Sequence, residues 1–192
     1  MKKYQKIVVM GTSAGGINAA REIITRLPHG FLAPVVVVQH MNSFMNMFFI
    51  EYLNFNSHLN VKEVAHEELL LPGNVYYVPP NYHALLEDGK IFLNSDAKVN
   101  YSRPSIDVFF ESVAFAEKEN VIGVLLSGAN SDGSYGLDLI HYFQGTTIVQ
   151  NPETAESPQM PKSAMELHQP DYVLDVEFIA KQLVRIVHGI EG

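Results

Sequence analysis

Short runs of apolar residues, many of them β-branched, recur along the chain at residues 6–10, 34–39, 61–64, 75–79, 121–126, 146–150 and 172–174. Most are apolar at nearly every position and do not alternate, as expected of strands covered on both faces. Between many of them the apolar spacing lengthens to that of a helix. Residues 17–27 follow two glycines and stop at Pro28, and residues 42–53 open on two capping types, Asn42 and Ser43. Residues 104–119 place a proline in the first turn and Asp107 near the positive end of the helix dipole. Residues 134–143 stop before Gly145, and residues 175–188 run from Asp175 to Gly189. One stretch differs. In ALLEDGKIFL, residues 84–93, the pair Asp88-Gly89 between two apolar runs predicts a β-hairpin.

Strands alternating with helices predict an α/β fold: a doubly wound, mostly parallel sheet with helices on both faces and an added antiparallel β-hairpin. Residues 150–161 hold three prolines and read as loop. No repeat, low-complexity tract or linker interrupts the pattern, so residues 1–192 are expected to form a single domain.

Charge narrows the function. Thirteen basic against 21 acidic residues leave a formal charge of −8, which argues against nucleic acid and anionic membrane as partners. With no cysteine, disulfides and thiolate metal sites are excluded. No apolar run approaches the ~20 residues of a membrane span. The apolar stretch after the first lysines is also shorter than the ~7–15 residues of a signal peptide core. A cytoplasmic protein is expected, with no metal or cofactor and no direct membrane insertion.

The candidate chemistry begins at GTSAGG, residues 11–16, between the first strand and the first helix. A glycine-rich turn there can cradle a phosphate, hold a nucleophile, or be purely structural. The spacing fits neither phosphate fingerprint: the glycines lie at 11, 15 and 16, and Ile17 and Asn18 stand where a P-loop has Lys and Ser/Thr. A bare helix N-terminus could still hold an anion. GTSAG does match the G-x-S-x-G nucleophile elbow, which would expose Ser13 beside oxyanion-binding N–H groups.

A nucleophile needs a base and an acid. In an open α/β sheet, sites form beyond the carboxyl ends of the strands. Of eight histidines, His40 follows the run PVVVVQ directly, while His83 follows a strand only after Pro-Pro. The loop SGANSDGSYG after residues 121–126 supplies Asp132, whose competing explanation is a cap for the helix at 134–143. Three strand ends therefore offer Ser13, His40 and Asp132, the set that acyl transfer requires.

At this point the chain resembles the catalytic domain of CheB-type chemotaxis protein-glutamate methylesterases. The resemblance runs from about residue 6 to 188, through GTSAGG, VVVVQHM, LLPGNVYYVPPNYHALL, SRPSIDVFFESVA, GVLLSGANSDGSYGL and GTTIVQNPETAESPQMPKSA. It implies a serine hydrolase that demethylates glutamate γ-methyl esters on methyl-accepting chemoreceptors and, in related enzymes, deamidates particular glutamines. It implies Ser13 as nucleophile, His40 as base, Asp132 as acid and Arg103 as a substrate-binding arginine at the mouth of the site. Family members usually carry Gly-Met-Gly where this chain has Gly128-Ala129-Asn130, so the N–H of Ala129, with that of Ala14, is the candidate oxyanion hole. These substitutions keep open a second reading, a non-catalytic signalling module that docks on a receptor or partner through the same cleft.

Chemotaxis esterases commonly carry an N-terminal phosphoacceptor domain. Five residues precede the first predicted strand, too few for one, so a fragment or a stand-alone enzyme is expected. No lid could then act in cis, and basal activity would lie near its maximum.

Overall fold

Val, Ile and Leu dominate the three central strands because both faces of their sheet are covered. The computed structural model describes residues 2–40 and 43–190 and, for residues 43–47, the backbone alone. In chain order the elements are β1 (Ile7–Thr12), α1 (Gly16–Arg26), β2 (Val35–Gln39), α2 (Ser43–Asn56), β3 (Asn60–Glu63), β4 (Glu68–Leu69) and β5 (Asn74–Tyr77). They continue with β6 (His83–Glu87), β7 (Lys90–Asn94), α3 (Ile106–Glu117), β8 (Val121–Leu125) and α4 (Ser134–Tyr142). β9 (Thr146–Gln150), α5 (Gln159–Leu167), β10 (Tyr172–Leu174) and α6 (Val176–His188) complete the chain.

Seven strands form one sheet in the order β10-β9-β8-β1-β2-β5-β3, and every pairing in it is parallel. Period-2 alternation divides its side chains between two cores. Val8, Met10, Val35, Val37, Ile122 and Val124 pack under α1, α2 and α6. Ile7, Val9, Val36, Val38, Val121 and Leu125 pack under α3, α4 and α5. The helices present matching stripes: Ala19, Ala20, Ile23 and Ile24 from α1, and Ile106, Phe109, Phe110, Val113 and Ala114 from α3. Phe109 and Phe110 are fully buried; truncating either to alanine would cost about 3–5 kcal/mol.

The predicted hairpin is present, but β4 pairs with β7 and makes it a three-stranded antiparallel sheet, β4-β7-β6. Ala84, Leu86 and Ile91 join the core on the α3 side. Three other expectations need correction. Residues 150–161 are not all loop, since α5 starts at Gln159 and buries Met160, Pro161, Ser163 and Ala164. Pro104 lies outside α3, whose N-cap is Ser105, its hydroxyl accepting from the Val108 N–H. α2 extends to Asn56, beyond the expected end at 53; of its two expected caps, Asn42 lies outside the described residues.

Candidate active site

Three neighbouring strands end on the same edge of the sheet. β1 lies between β8 and β2, so the segments that follow these three strands meet there. Ser13 directly follows β1. Its N–H donates to the Ser127 carbonyl (3.0 Å), and its own carbonyl accepts from the Gly16 N–H (3.0 Å), closing a turn into α1. The turn needs its glycine pair. Gly15 is left-handed at φ 75°, and a Cβ at Gly16 would sit 1.5 Å from Thr12 Oγ1. In a nucleophile elbow the serine itself occupies the strained position. Here the left-handed residue comes two positions after Ser13.

His40 directly follows β2, and its N–H donates to the Thr12 carbonyl (3.2 Å), pinning it beside Ser13. The Ser13 hydroxyl lies 3.1 Å from His40 Nδ1, and His40 Nε2 lies 3.0 Å from Asp132 Oδ2. An ionised carboxylate only accepts, so Nε2 carries the proton and Nδ1 offers its lone pair to the serine. In the usual Ser-His-Asp template the two ring nitrogens have the opposite assignments. The order serine, imidazole, carboxylate is the same.

Asp132 is fully buried and does not cap α4, whose N-cap is Gly133. It faces the start of α3 instead. Oδ1 accepts from the Ser105 hydroxyl (2.8 Å) and the Asp107 N–H (3.1 Å), and Oδ2 accepts from the Ile106 N–H (2.8 Å) as well as from His40. Burial alone would raise its pKa. The bonds from His40, the Ile106 and Asp107 N–H groups and Ser105 outweigh that and hold the carboxyl below its ordinary value. The N-terminal end of the helix dipole acts in the same sense.

Asp107 stands next to it. Its Oδ1 accepts from the Gly133 and Gly136 N–H groups (2.9 Å each), and its Oδ2 accepts from Asn100 Nδ2 (3.2 Å). Burial, together with the charge of Asp132, pushes this carboxyl up to about 6, although the Gly136 and Gly133 N–H groups oppose the shift. Two adjacent carboxyls are thus driven apart in acidity.

The remaining expected residues divide. Ala14 follows Ser13 and is exposed, and its carbonyl accepts from Ser127 Oγ (2.9 Å). Ala129 is exposed on the neighbouring loop, where the Gly128 N–H donates to the Ser157 carbonyl. Among the described residues no acceptor takes the N–H of Ala14 or Ala129. Arg103 has no ion pair among the described residues; its Nη1 donates to the carbonyls of Ser95 (2.7 Å) and Asp96 (2.8 Å). His83 is buried, with Nε2 on the Ala97 carbonyl (3.1 Å) and Nδ1 accepting from the Ser105 N–H (3.2 Å). Sequence reasoning missed Ser105 and Ser127. Ser105 carried one signal, that of a capping serine at the head of a helix.

A family model described as CheB methylesterase matches residues 8–183. The chain belongs to the CheB methylesterase family. The crystal structure of the Thermotoga maritima CheB methylesterase catalytic domain superposes with a TM-score of 0.90 at 37% identity, covering 95% of this chain and 98% of that one. A Leptospira interrogans protein named "Putative protein-glutamate methylesterase/protein-glutamine glutaminase" is 44% identical over 184 residues, 95% of each chain. A Thermotoga maritima protein-glutamate methylesterase/protein-glutamine glutaminase is 38% identical over 95% of this chain, which spans 54% of that protein. The fold is therefore that of a CheB catalytic domain, and no helix among the described residues is long and apolar enough to cross a membrane.

Proposed function

We propose that this chain is a serine hydrolase that removes methyl groups from glutamate γ-methyl esters on methyl-accepting chemoreceptors in the cytoplasm, and that it also deamidates receptor glutamines. One observation carries the reading: the unbroken run from Ser13 Oγ through His40 to the buried Asp132 carboxylate, in a chain of the CheB methylesterase family. Residues 1–192 act as one catalytic unit.

Ser13 Oγ attacks the ester carbonyl while His40 Nδ1 takes its proton. The Nε2–H···Oδ2 bond to Asp132 fixes the tautomer and stabilises the imidazolium. The N–H groups of Ala14 and Ala129 receive the oxyanion. Nδ1 returns the proton to the leaving methoxide, and methanol departs from an acyl-enzyme. Water, deprotonated by Nδ1, attacks the acyl carbon, and Nδ1 returns the proton to the departing Ser13 Oγ as the glutamate carboxylate is freed. With a glutamine substrate the leaving group is ammonia. Arg103, whose Nη1 donates to the Ser95 and Asp96 carbonyls, binds the substrate at the mouth of the site.

An active-site serine probe such as a fluorophosphonate tests the chemistry. It is expected to label Ser13, as read by peptide mapping, and labelling should fall strongly in His40→Ala. Receptor binding with no labelling would favour a non-catalytic docking module instead.

A further inference from the structure

A carboxylate that steadies a histidine base must keep one oxygen on the ring throughout the cycle. Rotation about its own Cβ–Cγ bond would exchange the two oxygens and spoil the alignment. Asp132 is surrounded by four donors, two on each oxygen, and three of them come from the first residues of α3 and its cap. Two of those three are backbone N–H groups, supplied whatever the side chain. The third is the Ser105 hydroxyl, 2.8 Å from Oδ1, on the oxygen that does not face His40. Ser105 is itself held from behind: its N–H donates to His83 Nδ1, and His83 Nε2 donates to the Ala97 carbonyl. His83, 2% exposed, thereby has both ring nitrogens committed in its neutral form.

We propose that Ser105 is a positioning residue for the reaction: its hydroxyl locks the plane of the Asp132 carboxylate so that Oδ2 stays on His40 Nε2, and His83 fixes Ser105 in turn. The inference rests on the triad reading above and goes beyond it by extending the functional run from Ser13 to the small sheet. The alternative is that Ser105 merely caps α3. Its capping bond from the Val108 N–H is 3.4 Å, longer than the bond to Asp132. Glycine is also an adequate N-cap, so capping alone does not require a hydroxyl here. Ser105→Gly therefore separates the two roles.

The test uses the full chain and methanol release from membranes bearing methylated chemoreceptor, with urea unfolding of each variant alongside. Ser105→Gly is expected to lower kcat roughly ten- to a hundredfold, the scale of one hydrogen bond to a charged group, with KM unchanged and folding largely retained. In an Asp132→Asn background the same change should cost little more, because the hydroxyl acts only through the carboxylate. A Ser105→Gly variant with wild-type kcat overturns the proposal. So does a loss that adds in full to that of Asp132→Asn. Ser13→Ala serves as the control: if it stays active the triad reading falls, whereas an inactive Ser13→Ala beside a fully active Ser105→Gly removes only this inference.

Discussion

Asp132 shows how much one residue's role depends on neighbours far away in sequence. As a loop aspartate before a helix it could have been a simple cap; its four donors, at residues 40, 105, 106 and 107, instead hold it fixed against the His40 ring. If the triad works as proposed, Ser13→Ala and His40→Ala each lose about 10⁴-fold or more in kcat, and the double variant is little worse. Asp132→Asn should hurt somewhat less but also loosen the fold, because an amide NH₂ would face donors. A buried donor left unsatisfied costs about 1–3 kcal/mol. Asp107 gives the pH prediction. Its carboxyl is raised from an ordinary value of 3.8 to about 6, so its protonated form favours the folded state. That contribution is complete below 3.8 and is lost as pH rises through about 6. Asp132, held below its ordinary value, works in the opposite sense: its contribution is present above 3.8 and is lost only in stronger acid. Urea unfolding of wild type and Asp107→Asn between pH 4 and 7.5 should show wild type losing ground to the variant as pH rises, with a plateau above about 6. A difference constant across that range would contradict the assignment.

Elements with a strong period were legible, and those decided by a few residues were not. The strand cores and five helices follow from apolar spacing, with ends off by a few residues at most. The hairpin was legible because Asp88-Gly89 suits a turn with two left-handed residues, and the backbone has them, at φ 49° and 75°. Gly89→Ala should therefore destabilise the protein by roughly 1 kcal/mol by urea unfolding. It should leave kcat unchanged, since the turn lies at the far end of β6 from His83. β4 was missed because two residues carry no period. α5 was missed because Pro152, Pro158 and Pro161 read as loop. Yet Pro161 falls in the first turn of the helix, where no intrahelical N–H bond is lost. The Met160 N–H is taken by the Gly128 carbonyl, a contact no local pattern could announce.

Over the whole molecule, the sheet order explains why residues 13, 40 and 132 meet. β1 and β2 carry the chain in one direction along the sheet, and β8, β9 and β10 build out from the other side of β1. The site sits where these two halves join, the crevice position that open α/β sheets favour. The carboxyl-end rule was enough to select Ser13, His40 and Asp132 from the sequence. It could not say that β8 would pair with β1, which imidazole nitrogen would face the serine, or that α3 would hold the carboxylate. Those outcomes depend on long-range packing and are set by the fold as a unit. The account stands most directly on methanol release from methylated chemoreceptor, measured for wild type and Ser13→Ala at equal concentration. It predicts release by wild type and a rate at or near background for Ser13→Ala with the fold intact. Comparable release by the two proteins would contradict it.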